Sequence, residues 1–110
     1  MAYDVDLADR VRDLTGRGPG IVEKRMFGGL ALMVDGHMAV VIRGRGGVMV
    51  RVDPAESERL LTEPGVQAAV MRGRPMRGWL TIDPSVCASD GDLGRWVERG
   101  VRYARSLPAK

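Results

Sequence analysis

The 110-residue chain holds one cysteine (Cys87), one histidine (His37) and five aromatic residues. Each scarcity excludes something. A lone cysteine closes no intramolecular disulfide, so the chain is not a bridge-stabilised secreted scaffold, and a reducing cytoplasm is the expected compartment. A lone histidine builds no His-based metal site unless several carboxylates converge on it, and no cofactor is expected. No stretch approaches the roughly 18 apolar residues of a membrane span. Met1-Ala2-Tyr3-Asp4 also lacks the basic-then-apolar start of a secretory leader, so neither export nor insertion is expected. None of Ser57, Ser85, Ser89 and Ser106 falls in a Gly-x-Ser-x-Gly elbow, which leaves serine hydrolysis without support.

What is present is ordinary for a folded domain: 45% apolar and 28% charged residues. A chain of this length buries roughly 65% of its unfolded surface and needs no staple. A single domain over 1–110 is expected. Seventeen Lys and Arg against fourteen Asp and Glu give +3 and a pI near 9.6. That mild excess permits contact with phosphate or an acidic protein without deciding between them.

Leu7, Ala8, Val11 and Leu14 repeat at helical spacing and predict a helix from about Asp4 to Thr15, stopped by Gly16-Arg17-Gly18-Pro19-Gly20. Short Val- and Met-rich runs follow. Asp35-Gly36, set between Leu30–Val34 and Met38–Ile42, predicts a type I′ hairpin. Gly44-Arg45-Gly46-Gly47 predicts the next turn, leading to a strand over Val48–Val52. Glu23 to Phe27 reads as a short extended segment. Gly28-Gly29 marks a bulge or close backbone packing. Asp53-Pro54-Ala55-Glu56 is a helix start with an Asp cap, a proline at the first position and an acid for a capping box. Val66–Met71 and Gly78–Ile82 read as strands joined by a loop over residues 72–77. Ser89 and Asp92 then cap a helix whose stripe runs Leu93, Trp96, Val97, Gly100, Val101, Ala104, with Gly100 allowing close approach to the sheet. The order α-β-β-β-α-β-β-α predicts an α+β fold, a mostly antiparallel sheet with helices on one face.

Few residues suggest chemistry. His37 reads as a solvated side chain after the turn and Cys87 as a small buried hydrophobe. The most suggestive cluster is Arg72, Arg74 and Arg77 with Met76 and Trp79, since guanidinium forks bind carboxylates and phosphates and a tryptophan anchors interfaces. Arg95, Arg99 and Arg102 line one flank of the last helix, with Glu98 spaced to pair Arg102.

These residues resemble the N-terminal domain of the TfoX/Sxy family, named for a bacterial regulator of DNA-uptake competence. The resemblance is carried by Lys24-Arg25-Met26-Phe27-Gly28-Gly29-Leu30-Ala31-Leu32-Met33-Val34-Asp35-Gly36, Arg51-Val52-Asp53-Pro54 and Gly73-Arg74-Pro75-Met76-Arg77-Gly78-Trp79. Trp96-Val97 and Tyr103-Ala104-Arg105-Ser106-Leu107-Pro108 complete it. It implies a secretion-chaperone-like α+β fold and a regulatory or interaction role, and it supplies no catalytic residues.

Three functional readings follow. The first is a module that binds a protein partner, including a homodimer formed through a sheet edge or a Met and Trp surface. The second is nucleic-acid binding through the arginines of 72–77 and the last helix; the scarcity of aromatics weighs against it, because single-strand platforms stack bases on several exposed rings. The third is an enzyme without a recognisable motif, which requires a pocket where polar groups converge.

Overall fold

The computed structural model describes residues 3–15, 18–26 and 28–108. Helix α1 (Val5–Thr15) starts where the Asp4 carboxylate accepts from the Leu7 N–H at 3.1 Å, and it buries Leu7, Ala8 and Val11. Leu14, which shares the spacing, is instead 47% exposed. Gly16 and Arg17 of the expected stop lie outside the described residues.

Strands β1 (Ile21–Met26), β2 (Gly29–Val34), β3 (His37–Ile42) and β4 (Val48–Arg51) follow in an antiparallel meander. The segment expected as a short extension at Glu23 is thus a full strand, two residues earlier at its start; Phe27 lies outside the described residues. Asp35 and Gly36 take φ of 51° and 85°, the paired positive values of a type I′ turn. At Gly29 a Cβ would lie 2.2 Å from the Ile42 carbonyl oxygen, so close strand packing is what requires glycine there.

Asp53 accepts from the Ala55 N–H at 2.9 Å and starts a 3₁₀ turn (Pro54–Glu56) that runs into α2 (Ser57–Leu60). Glu56, expected to close a capping box, turns forward to Arg59 at 2.5 Å. β5 (Val66–Met71) and β6 (Arg74–Ile82) then pair, and β6 slots between β4 and β5 to give the sheet order β1-β2-β3-β4-β6-β5. A short helix α3 (Pro84–Cys87), capped by Asp83, was hidden in the sequence by its length. α4 (Asp90–Ser106) begins as expected, with the Ser89 hydroxyl accepting from the Asp92 N–H at 3.3 Å.

Among the described residues, all four helices pack on one face of the sheet. Leu7, Val11, Leu60, Cys87, Leu93, Trp96 and Val97 share one core with the sheet residues Leu32, Val40, Ile42, Val48, Val50, Leu80 and Ile82. Trp96 is 1% exposed, and full burial of each such side chain contributes about 1.5–3 kcal/mol. α4 crosses β2, β3 and β4 closely because Gly100 faces the Ala39 carbonyl and Val50. Ion pairs tie this layer together: Arg10 to Asp90 at 2.7 Å, and Arg12 of α1 to Glu23 of β1 at 2.6 Å.

Candidate binding face

Strand residues alternate between faces, so the partners of the helix-covered set point to the opposite side. That side carries a second apolar cluster built only from strands. Ala31, Val41, Met49 and Ala69 form its buried floor, with Met26, Met33, Met38, Met76 and Trp79 half-buried around them. Five of the seven methionines therefore stand on the face opposite the helical core, with the 3₁₀ turn and α2 bordering it only beside Met76 and Trp79.

Two irregularities shape it. Ala39 is an extra residue in β3 opposite Leu32 and Met33. In β5 and β6 the register shifts between Ala68 and Val70, where Gly78 takes φ of 86° and its N–H donates to Ser57 Oγ at 3.1 Å. Such bulges bend strands. The distal half of the β5–β6 hairpin leans over the back face, so that Val70, Met71 and Arg72 stand across a cleft from Val41, Met49, Arg43 and Arg45. The cleft encloses about 440 Å³.

The residues expected to act fall into two groups here. Arg72, Arg74, Met76, Arg77 and Trp79 belong to this hairpin. The segment read as a loop is a two-residue turn, Arg72-Gly73, with φ of 54° and 77°, and Arg74, Met76 and Arg77 are strand residues of β6. Arg95, Arg99 and Arg102 sit instead in the helical layer and are engaged locally. Arg95 pairs with Glu63 at 3.2 Å and Asp92 at 3.3 Å, and Arg102 pairs with Glu98. Arg99 lies 4.7 Å from the Trp96 ring centroid, with its Nη1 buried and without a hydrogen-bond partner.

His37 is not solvated as expected: it is 9% exposed, and its Nε2 lies 2.6 Å from the Pro108 carbonyl oxygen, pinning the end of α4 to β3. Nothing near His37 in sequence signals this, since the contact spans the chain. Cys87 is buried as expected, and burial pushes its thiol pKa up, which suits an inert packing residue. No helix among the described residues is long and apolar enough to cross a membrane.

Charge divides the molecule. Glu23 is the one carboxylate in the six strands, and it faces the helices, where it binds Arg12. Lys24, Arg43, Arg45, Arg72, Arg74 and Arg77 have no ion-pair partner among the described residues. Arg51 holds its guanidinium 5.6 Å from the ring centroids of both Trp79 and Tyr103, a cation–π bridge.

A family model for the TfoX N-terminal domain matches residues 13–104. The chain belongs to that family. The match takes in every strand, the Met-rich face and most of α4, so the resemblance read from the sequence holds over most of the chain. The TfoX N-terminal domain is not a known enzyme family and suggests a small regulatory or interaction module. No curated protein and no solved structure matches the chain.

Proposed function

We propose that this TfoX N-terminal domain is a non-enzymatic regulatory module of the cytoplasm that works by binding a protein partner through the β5–β6 hairpin and the sheet face beneath it. One observation carries the reading: half-exposed methionines and Trp79 lie beside arginines that no carboxylate among the described residues neutralises. Methionine adapts to varied apolar surfaces, and arginine and tryptophan dominate interface energetics. The cleft beneath the hairpin offers three guanidinium groups and apolar walls, with no carboxylate, imidazole or thiol among its lining residues to move a proton; that supports recognition over catalysis.

The test is capture from cell extract. The triple variant Arg74→Ala, Met76→Ala, Arg77→Ala should lose the captured partner while its melting temperature stays that of the parent; undiminished capture would sink the reading. Nucleic-acid binding is the second reading, favoured by the same unpaired arginines. It calls for saturable binding to DNA or RNA that weakens steeply with salt, since neutralised phosphates release counterions.

A further inference from the structure

Resting on the reading of a protein-binding module, we propose the chemistry of what is bound: an acidic amphipathic helix that lies across the strands on the methionine face, its apolar side on Met33, Met38, Met76 and Trp79 and its carboxylates on Arg43, Arg45 and Arg72. The helix-covered face of the sheet shows what such a surface accepts, because α4 crosses β2, β3 and β4 there. The opposite face is also apolar, and it is covered only in part, by the leaning hairpin, with the 3₁₀ turn and α2 bordering it beside Met76 and Trp79.

Size fits. From Met26 on β1 to Trp79 on β6 the apolar band crosses four strand intervals, about 19 Å at roughly 4.8 Å each. A helix covers that distance with about 13 residues, enough for anchors at i, i+3, i+4 and i+7.

Charge selects the occupant. The strands present no carboxylate on this side, while Lys24, Arg43, Arg45, Arg72 and Arg74 stand on it or at its tips without an ion pair among the described residues. A second copy would set one cationic face against another, a juxtaposition that costs binding energy. A nucleic acid would meet thioethers and aliphatic groups where bases need several exposed rings. An acidic helix satisfies the apolar floor and the cationic rim together.

The probe is a fluorescein-labelled peptide of about 14 residues, with leucines on one helical face and glutamates elsewhere, titrated against the full chain by anisotropy. Carbon-13 methionine methyl signals and the two tryptophan indole signals are followed alongside. The expected result is saturable binding that shifts Met33, Met38, Met76 and Trp79 and leaves the core Trp96 in place. Binding should weaken about tenfold in the double variant Arg43→Glu, Arg72→Glu, and with lysines replacing the peptide's glutamates. Should that variant melt early, Arg45→Glu replaces it.

Equal binding by the lysine peptide, shifts confined to Trp96, or tighter competition by a single-stranded oligonucleotide overturns the proposal. If the peptide fails while the Arg74, Met76, Arg77 variant still loses partner capture, the acidic helix is wrong and the interaction module stands; if capture is also unchanged, both fall.

Discussion

Arg72 occupies the left-handed region at φ 54°, in the same turn position that Asp35 fills at φ 51° in the other two-residue hairpin. Every residue but glycine brings its Cβ near a carbonyl oxygen there, and asparagine and aspartate offset that cost because their short polar side chains hydrogen-bond to the local backbone, which arginine does not do. Arg72→Asn should therefore raise stability by about 0.5–1 kcal/mol in urea unfolding while it removes a cation from the cleft. A loss of stability would mean that Arg72 has a structural partner.

Asp83 gives a second residue-scale test. Its carboxylate accepts from the Ser85 hydroxyl and then the Ser85 N–H, which hold its pKa below the ordinary 3.8. A carboxyl depressed in the folded state stabilises above its unfolded pKa and loses that contribution as pH falls through the folded one. Asp83→Ala should lower the melting temperature near pH 6 and much less near pH 2. Equal losses would assign the effect to packing.

At the scale of the element, two glycines of α4 make opposite predictions. A Cβ at Gly100 would lie 2.8 Å from the Ala39 carbonyl oxygen and 2.9 Å from Val50 Cγ1, backbone and core that cannot yield. Gly100→Ala should cost about 1–3 kcal/mol as overpacking outweighs helix propensity. At Gly94 the nearest atom is Leu14 Cδ2 at 3.4 Å, the end of an exposed side chain. Gly94→Ala should stabilise by up to about 1 kcal/mol; thermal melts of the two variants moving the same way would refute the account.

β6 shows why an element outran its sequence signal. Gly73 and Pro75 read as loop punctuation, yet Arg74–Arg77 is strand. β4 ends opposite Trp79, so the distal part of β6 pairs only with β5, and a proline without an N–H is tolerated where one side of a strand has no neighbour.

For the whole molecule, the separation of paired from unpaired cations predicts a separation of stability from binding. The Arg12 guanidinium is held above its ordinary pKa by hydrogen bonding first to Glu23, and also to Asp9. Arg12→Gln should cost about 0.5–1 kcal/mol, the scale of a partly exposed ion pair. The pair Arg43→Gln, Arg45→Gln should stay within about 0.5 kcal/mol of the parent in urea, as surface changes without partners do. A large loss there would show these arginines to be structural.

The sequence by itself determined what local physics controls: α1 and α4 through helical periodicity and caps, the Asp35-Gly36 hairpin through its need for positive φ, Gly100 through its place on an apolar stripe, and the family through motifs spread along the chain. It also named Arg72, Arg74, Met76, Arg77 and Trp79. Only the tertiary structure decided that Met26, Met33, Met38, Met49 and Met76, far apart in the chain, share one sheet face, that Arg43 and Arg45 join Arg72 across a cleft, and that Arg95 is held by Glu63. Alternation within a strand says that two sides exist, but which side the helices cover depends on long-range packing.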